Sequence, residues 1–158
     1  MQRKQSGFTL IELVVVITII GILAAIALPR FAALQANARM AKMQGALGAV
    51  KSAAAMAHAM LIAQGFSSSS TSSTTGIQIE GTAVNYVNGF PDAITIVPLA
   101  GLTTPDYILS GLTTPNAIAA PDVNHIGGVA DCTIGYLPPI AADTVPLYTF
   151  NATLANCS

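Results

Sequence analysis

A chain of 158 residues that is 53% hydrophobic and only 8% charged, with a mean hydropathy of +0.63, has room for one domain but is too apolar for an ordinary freely soluble globule. Its formal net charge of −1 hides an asymmetry: Arg3, Lys4, Arg30, Arg39, Lys42 and Lys51 are all of its Lys and Arg residues, and beyond Ser52 stand six acids, Glu80, Asp92, Asp106, Asp122, Asp131 and Asp143, with no Lys or Arg. Nucleic-acid affinity rests on cations that neutralise phosphates, so that C-terminal part is excluded as a DNA or RNA reader.

The first element is apolar. Phe8 to Leu28 is 21 residues, about 31 Å as a helix, which matches the hydrocarbon core of a bilayer. A secretory signal peptide would also begin with a basic leader (Arg3, Lys4) and would end at Ala25-Ile26-Ala27. Two features weigh against it: the run exceeds the usual h-region of about 7 to 15 residues, and it contains a carboxylate, Glu12. An acid at the centre of a membrane helix costs about 2.5 to 3.5 kcal/mol on insertion scales. Glu12 stands near one end, where the penalty is smaller, but a poorly solvated acid still needs a partner.

The stretch GFTLIEL, Gly7 to Leu13, with a short basic leader before it and VVVITIIGILAAIALPRF after it, resembles the N-terminus of type IV prepilins. Leader, junction, acid and apolar run are fixed together, which makes the motif specific. The resemblance implies that a prepilin peptidase cuts between Gly7 and Phe8 on the cytoplasmic side, that Phe8 is then N-methylated, and that the apolar segment is kept. It also implies the partner of Glu12. In the family the acid of an incoming subunit pairs with the terminal amine of a subunit already in the fibre, here that of Phe8, which makes Glu12 and Phe8 an assembly register. The expected division is a leader over 1–7, a transmembrane and polymerisation helix over 8–28, an amphipathic helix over 29–65 and a β head over 66–158.

Good helix formers dominate Phe31 to Gln64. Met40, Met43, Leu47, Val50, Ala54, Ala57 and Leu61 fall on one stripe of 3-4 spacing, which reads as the core face against a head rather than a cofactor site. A helix from Phe8 to Gln64 would be about 85 Å long. Gly21 and Pro29 are its expected weak points, since an interior proline removes a backbone hydrogen bond.

After the helix, Ser67 to Thr75 is an unbroken run of hydroxyl residues. It reads as a solvated surface loop, and Ser67, Ser68, Ser69, Ser70 and Thr71 are candidate O-glycosylation acceptors; Asn151-Ala152-Thr153 fits the N-glycosylation pattern. Expected strands are Ile77 to Glu80, Val84 to Val87, Ile94 to Val97, Cys132 to Tyr136 and Val145 to Phe150, separated by turn signals. The expected class is therefore α+β: a long helix packed on an antiparallel sheet. A repeat, GLTTPDYILS then GLTTPNAIAA from Gly101 and Gly111, reads as a local duplication whose Thr-Thr-Pro opens a short helical turn. Cys132 and Cys157 are the only cysteines. In a domain outside the cytoplasm they read as a disulfide closing the region 132–157, which resembles the C-terminal disulfide region of type IV pilins.

No nucleophile elbow, phosphate loop or metal-ligand spacing is present, so neither an enzyme nor a cofactor is expected. His58 and His125 have no ligand spacing with the cysteines, and Asp122, Asn124 and Asp131 read as turn residues rather than calcium ligands. The resemblance implies a homopolymeric fibre. Its partners are further copies of the chain, the peptidase and methylase, the pilus assembly machinery and, before assembly, the inner membrane; the fibre itself is extracellular. The stretches ALPRFAALQANAR, GAVKSAAAMAHA and VNGFPDA resemble the mannose-sensitive haemagglutinin type, an adhesive subgroup. Two other readings stay open: a minor pilin or type II secretion pseudopilin of the periplasm, and an exported soluble β-domain.

Overall fold

The computed structural model describes residues 8–71, 76–110, 117–126 and 131–158. One helix, α1, runs unbroken over Leu10–Ala63, 54 residues, about 80 Å. It passes through both Gly21 and Pro29. Among the described residues its N-terminal half is left bare: every residue from Phe8 to Gln35 except Ala27 is exposed. Burial starts at Ala36 and recurs at Met43, Ala46, Val50, Ala53, Ala54, Ala57 and Leu61, with Met40 and Leu47 half-buried beside them. That is the expected core stripe, widened by alanines whose small side chains let the sheet approach the helix closely.

The main sheet has four antiparallel strands in the order β5 (Ile108–Ser110), β6 (Ala117–Ala120), β7 (Ile134–Leu137) and β8 (Leu147–Phe150). Ala117, Ala119, Ile134 and Tyr136 turn one face towards Met43, Ala46, Val50 and Ala54 of α1 and complete the core with the disulfide Cys132–Cys157. Period-two alternation puts those residues on one face. Two buried tyrosine hydroxyls find backbone acceptors, Tyr136 donating to Pro91 O at 2.7 Å and Tyr86 to Ala57 O at 3.0 Å. Burial pushes the Tyr136 phenol far above its usual range, the charges of Tyr148 and Asp92 adding to it.

A smaller cluster of Ala57, Leu61, Ile77, Ile79, Val84 and Tyr86 closes the upper end of α1. Its strands are two-residue hairpins, β1 (Gln78–Ile79) with β2 (Thr82–Ala83) and β3 (Tyr86–Val87) with β4 (Phe90–Pro91). Glu80-Gly81 and Asn88-Gly89 join them with positive φ at both central positions, the geometry that suits the twist of paired strands.

Three expectations need correction. Ile94 to Val97 is not a strand: Asp92 Oδ1 accepts from both the backbone N–H and the hydroxyl of Thr95 at 2.7 Å, and the chain turns into a short helix, α2 (Ile96–Leu99). Local side-chain bonds overrode the β-branched run. The repeat is not merely loop, because Ile108–Ser110 at the end of its first copy pairs antiparallel with Ala117–Ala120 at the end of its second. The first Thr-Thr-Pro opens a turn in which Tyr107 N–H donates to Thr103 O; the second copy of that triplet lies outside the described residues. Finally, the start of the hydroxyl tract is docked rather than loose. Gly89 N–H donates to Ser70 O at 2.8 Å and Asn88 N–H to Thr71 Oγ1 at 2.8 Å. Ser67 and Ser68 stay exposed, whereas residues 72–75 lie outside the described residues.

That docking makes Gly89 demanding. A Cβ there would stand 1.8 Å from Ser68 O, on a backbone with φ of +86°. Gly89→Ala is expected to destabilise the head by about 2–4 kcal/mol. Gly81→Ala, at φ +80° with nothing within 4 Å, meets only the backbone penalty of about 1 kcal/mol. Thermal unfolding of the two variants checks this, and equal losses would mean that the tract is not held against Gly89.

Candidate assembly site

The exposed half of α1 begins with its acid. Thr9 is the N-cap, with its hydroxyl 3.3 Å from Glu12 N–H, while Glu12 Oε2 accepts from Thr9 N–H at 2.9 Å and from Thr9 Oγ1 at 2.7 Å. This reciprocal capping box satisfies amide hydrogens that a helix start leaves without intrahelical partners. Thr9 was not singled out from the sequence, although Thr-x-x-Glu just before an apolar run is its signature. Glu12 therefore has a local donor within its own chain, and among the described residues it is Oε2 that is engaged. The carboxylate opens onto an apolar groove lined by Phe8, Ile11, Val15 and Val16. Gly7 lies outside the described residues, and Phe8 is exposed at the end of the helix.

Below the head, α1 reaches a mean hydropathy of 2.9 over 18 residues, none of them buried. Length and composition allow this one helix to cross a membrane. Such an apolar surface, left bare by its own fold, needs lipid or other protein to cover it.

The head is fastened to α1 by two cations just above the bare half. Arg39 Nε lies 3.1 Å from Asp122 Oδ2 and its Nη1 donates to Cys157 O at 3.0 Å. Lys42 donates to the carbonyls of Asp106 and Pro121 and sits 4.5 Å from the centroid of the Tyr107 ring. Asp122 also caps the 3₁₀ turn Val123–His125: its Oδ1 accepts from Asn124 N–H at 3.0 Å and lies 2.5 Å from His125 Nδ1, while His125 Nε2 lies 3.2 Å from Ser158 O. The turn role expected of Asp122 and Asn124 is what the structure shows. His58 lies on α1 and stacks on Phe90 with ring centroids 4.2 Å apart. Among the described residues no group of His, Cys, Asp or Glu gathers as metal ligands would.

Burial works to raise the Asp122 pKa, but hydrogen bonds from His125 and the Asn124 backbone, with the charges of His125 and Arg39, outweigh it and hold the carboxyl below its usual range. A depressed pKa contributes stability that is present above the unfolded value of about 3.9 and lost as pH falls through the folded one. The head should therefore loosen in acid below about pH 4. Asp122→Asn should lower the unfolding temperature at neutral pH and flatten this acid limb, as unfolding scans across pH would reveal.

Fold and site together define a stalk with a head: one long helix, bare and apolar enough below to fit a membrane anchor, clothed above by a disulfide-closed β head. The chain matches the family described as the prokaryotic N-terminal methylation motif over residues 2–28, and its N-terminal region is similar to those of type IV pilins and fimbrial proteins. It is 54% identical over 54 residues to the type IV narrow pilus major component PilA5 of Thermus thermophilus, covering 34% of this chain and 47% of that protein. It is 56% identical over 50 residues to the fimbrial protein EcpB of Eikenella corrodens (32% and 31% of the two chains). To the type IV major alpha-pilin of Moraxella bovis it is 51% identical over 51 residues, 32% of each chain. The matches span less than half the length of these relatives. No solved structure matches the chain significantly.

Proposed function

We propose that this chain is the structural subunit of a type IV pilus, polymerising through the exposed half of α1 into a surface fibre. The observation that carries the reading is the continuous helix: the half above Gln35 forms the core of the head, whereas the half below it has an acid at its start and no contact with the head. A fibre built with helices inside and heads outside buries that bare surface. Before assembly the same segment sits in the inner membrane as a single span. A prepilin peptidase cleaves between Gly7 and Phe8, a methylase modifies Phe8, and Glu12 of one subunit then meets the Phe8 amine of another within the assembly machinery. Gly21 and Pro29 are the positions at which α1 yields when the fibre is packed or stretched. Adhesion is the role proposed for the displayed head, with Ser67 and Ser68 as exposed acceptors for glycan. The role is structural, and the processing chemistry belongs to partners. Relatives named as major pilus components and fimbrial proteins support this reading over a secretion pseudopilin or a released β-domain. Electron microscopy of a strain lacking the gene tests it: loss of all the filaments of this type is expected, and an unchanged filament count would contradict it.

A further inference from the structure

The most exposed apolar side chains of the head stand together on the connection between β7 and β8. Ile140 is 85% and Val145 78% exposed, on a loop made firm by buried Pro138, Pro139 and Pro146. Asn88 Nδ2 donates to Pro139 O at 2.8 Å, and Thr144 Oγ1 to Ala141 O at 2.7 Å. At the tip is Asp143, exposed and at φ +60°. A rigid loop that displays two aliphatic side chains and one acid is a knob.

At the other end of β8 an open groove runs between the strand and α1, lined by Gln44, Leu47, Gly48, Lys51 and Phe150. Gly48 weakens a helix interior relative to alanine, and nothing in the chain approaches the place of its missing Cβ. Lys51 reaches over the Tyr148 ring, 5.5 Å from its centroid, at the rim of this groove. Arg39 and Lys42 are spent inside the head, so Lys51 is the cation that the head presents outward among the described residues.

We infer that the β7–β8 knob of one subunit seats in the α1–β8 groove of a second copy of this chain, Val145 and Ile140 against Leu47, Gly48 and Phe150, and Asp143 facing Lys51. The inference rests on the fibre reading above and adds to it a head-to-head contact. Charge complementarity selects the occupant: beyond Lys51 the chain carries no Lys or Arg, and Arg39 and Lys42 are engaged by their own head, so Lys51 is the Lys or Arg that the head's described surface offers to an acidic knob. Geometry prevents a subunit from filling its own groove. The knob is held by Asn88, next to Gly89, whose carbonyl meets His58 of α1 at 2.7 Å, whereas the groove floor is at Gly48. Ten helical residues separate the two levels, about 15 Å along α1. Knob and groove are different patches, so the contact is heterologous and propagates into an open filament instead of closing a dimer.

Fibres sheared from cells carrying Gly48→Cys together with Val145→Cys, mildly oxidised and run without reductant, test the contact. A ladder of dimers and higher multimers is expected from the double variant and none from either single one. Normal fibres that yield only monomer, or a ladder from a single variant, overturn the contact and leave the fibre reading standing. Absence of this chain from the parent's filaments sinks that reading and the contact with it. Should the cysteine pair impair folding, Lys51→Gln and Asp143→Asn, both at exposed sites, serve instead. Each should lower fibre yield about two- to fivefold, the size of an exposed ion pair, with the double variant no worse than either single one. Fully additive losses would mean that the two charges do not meet.

Discussion

Glu12→Ala should abolish filaments while leaving the precursor in the membrane and cleaved. The substitution raises the hydropathy of the inserted helix and leaves Gly7 and Phe8 in place, so insertion and processing keep their signals. It removes the only acid in the apolar segment. On docking, the Phe8 amine of a neighbour then enters an apolar interior with no counter-ion, and breaking such a buried pair costs about 3 to 5 kcal/mol. Against subunits that associate reversibly, this is a factor of a hundred or more in each addition step, at about 1.4 kcal/mol per tenfold. The capping box adds a second, smaller loss, about 1 kcal/mol at the helix start. Thr9→Ala separates the two: it removes the hydroxyl bonds and keeps the carboxylate, so a moderate reduction of filaments is expected. Filament counts by electron microscopy, with immunoblots for cleaved subunit, check both. Normal filaments from Glu12→Ala cells would remove the register argument.

Cys132→Ser should leave α1 and its membrane insertion intact and loosen the head. The disulfide spans 25 residues, which in the chain-entropy account contributes about 3.5 kcal/mol. Both sulfurs are fully buried in the core, beside Ala117, Ile134 and Tyr136. Cys157 also supplies the carbonyl that Arg39 grips, so releasing it weakens the fastening of the head to α1. The variant should be cut rapidly by protease within 133–158 and should yield few fibres. Thiol labelling of unreduced wild-type protein should find neither cysteine, and quantitative labelling of both would exclude the bridge.

The helix, its core stripe and the cysteine pair were legible because each is written in local pattern: 3-4 spacing, a long apolar run, an even cysteine count. Turn signals after the expected strands were legible, although Glu80, expected at the end of a strand, is itself a turn residue at positive φ. What escaped was decided by tertiary partners. Ala117–Ala120 has weak strand propensity and pairs because its alanines fit under α1. Ile94 to Val97 reads as strand by its β-branched run, but Asp92 binds Thr95 and turns the chain into the helix Ile96–Leu99. At the assembly site the acid was legible as a lone carboxylate in an apolar run, whereas Thr9, its partner within the chain, carries no charge to mark it. The contacts of the helix cations were not legible either, because their partners stand far along the chain: Arg39 meets Asp122 and Lys42 the carbonyls of Asp106 and Pro121, whereas Arg30 and Lys51 stay exposed.

The most direct test is the intact mass of the subunit recovered from sheared surface filaments. The expected mass is that of a chain beginning at Phe8 with one added methyl and two hydrogens lost to the Cys132–Cys157 bridge, any glycan appearing as a discrete increment. A chain beginning at Leu28, or filaments that do not contain this protein, would contradict the account at its root.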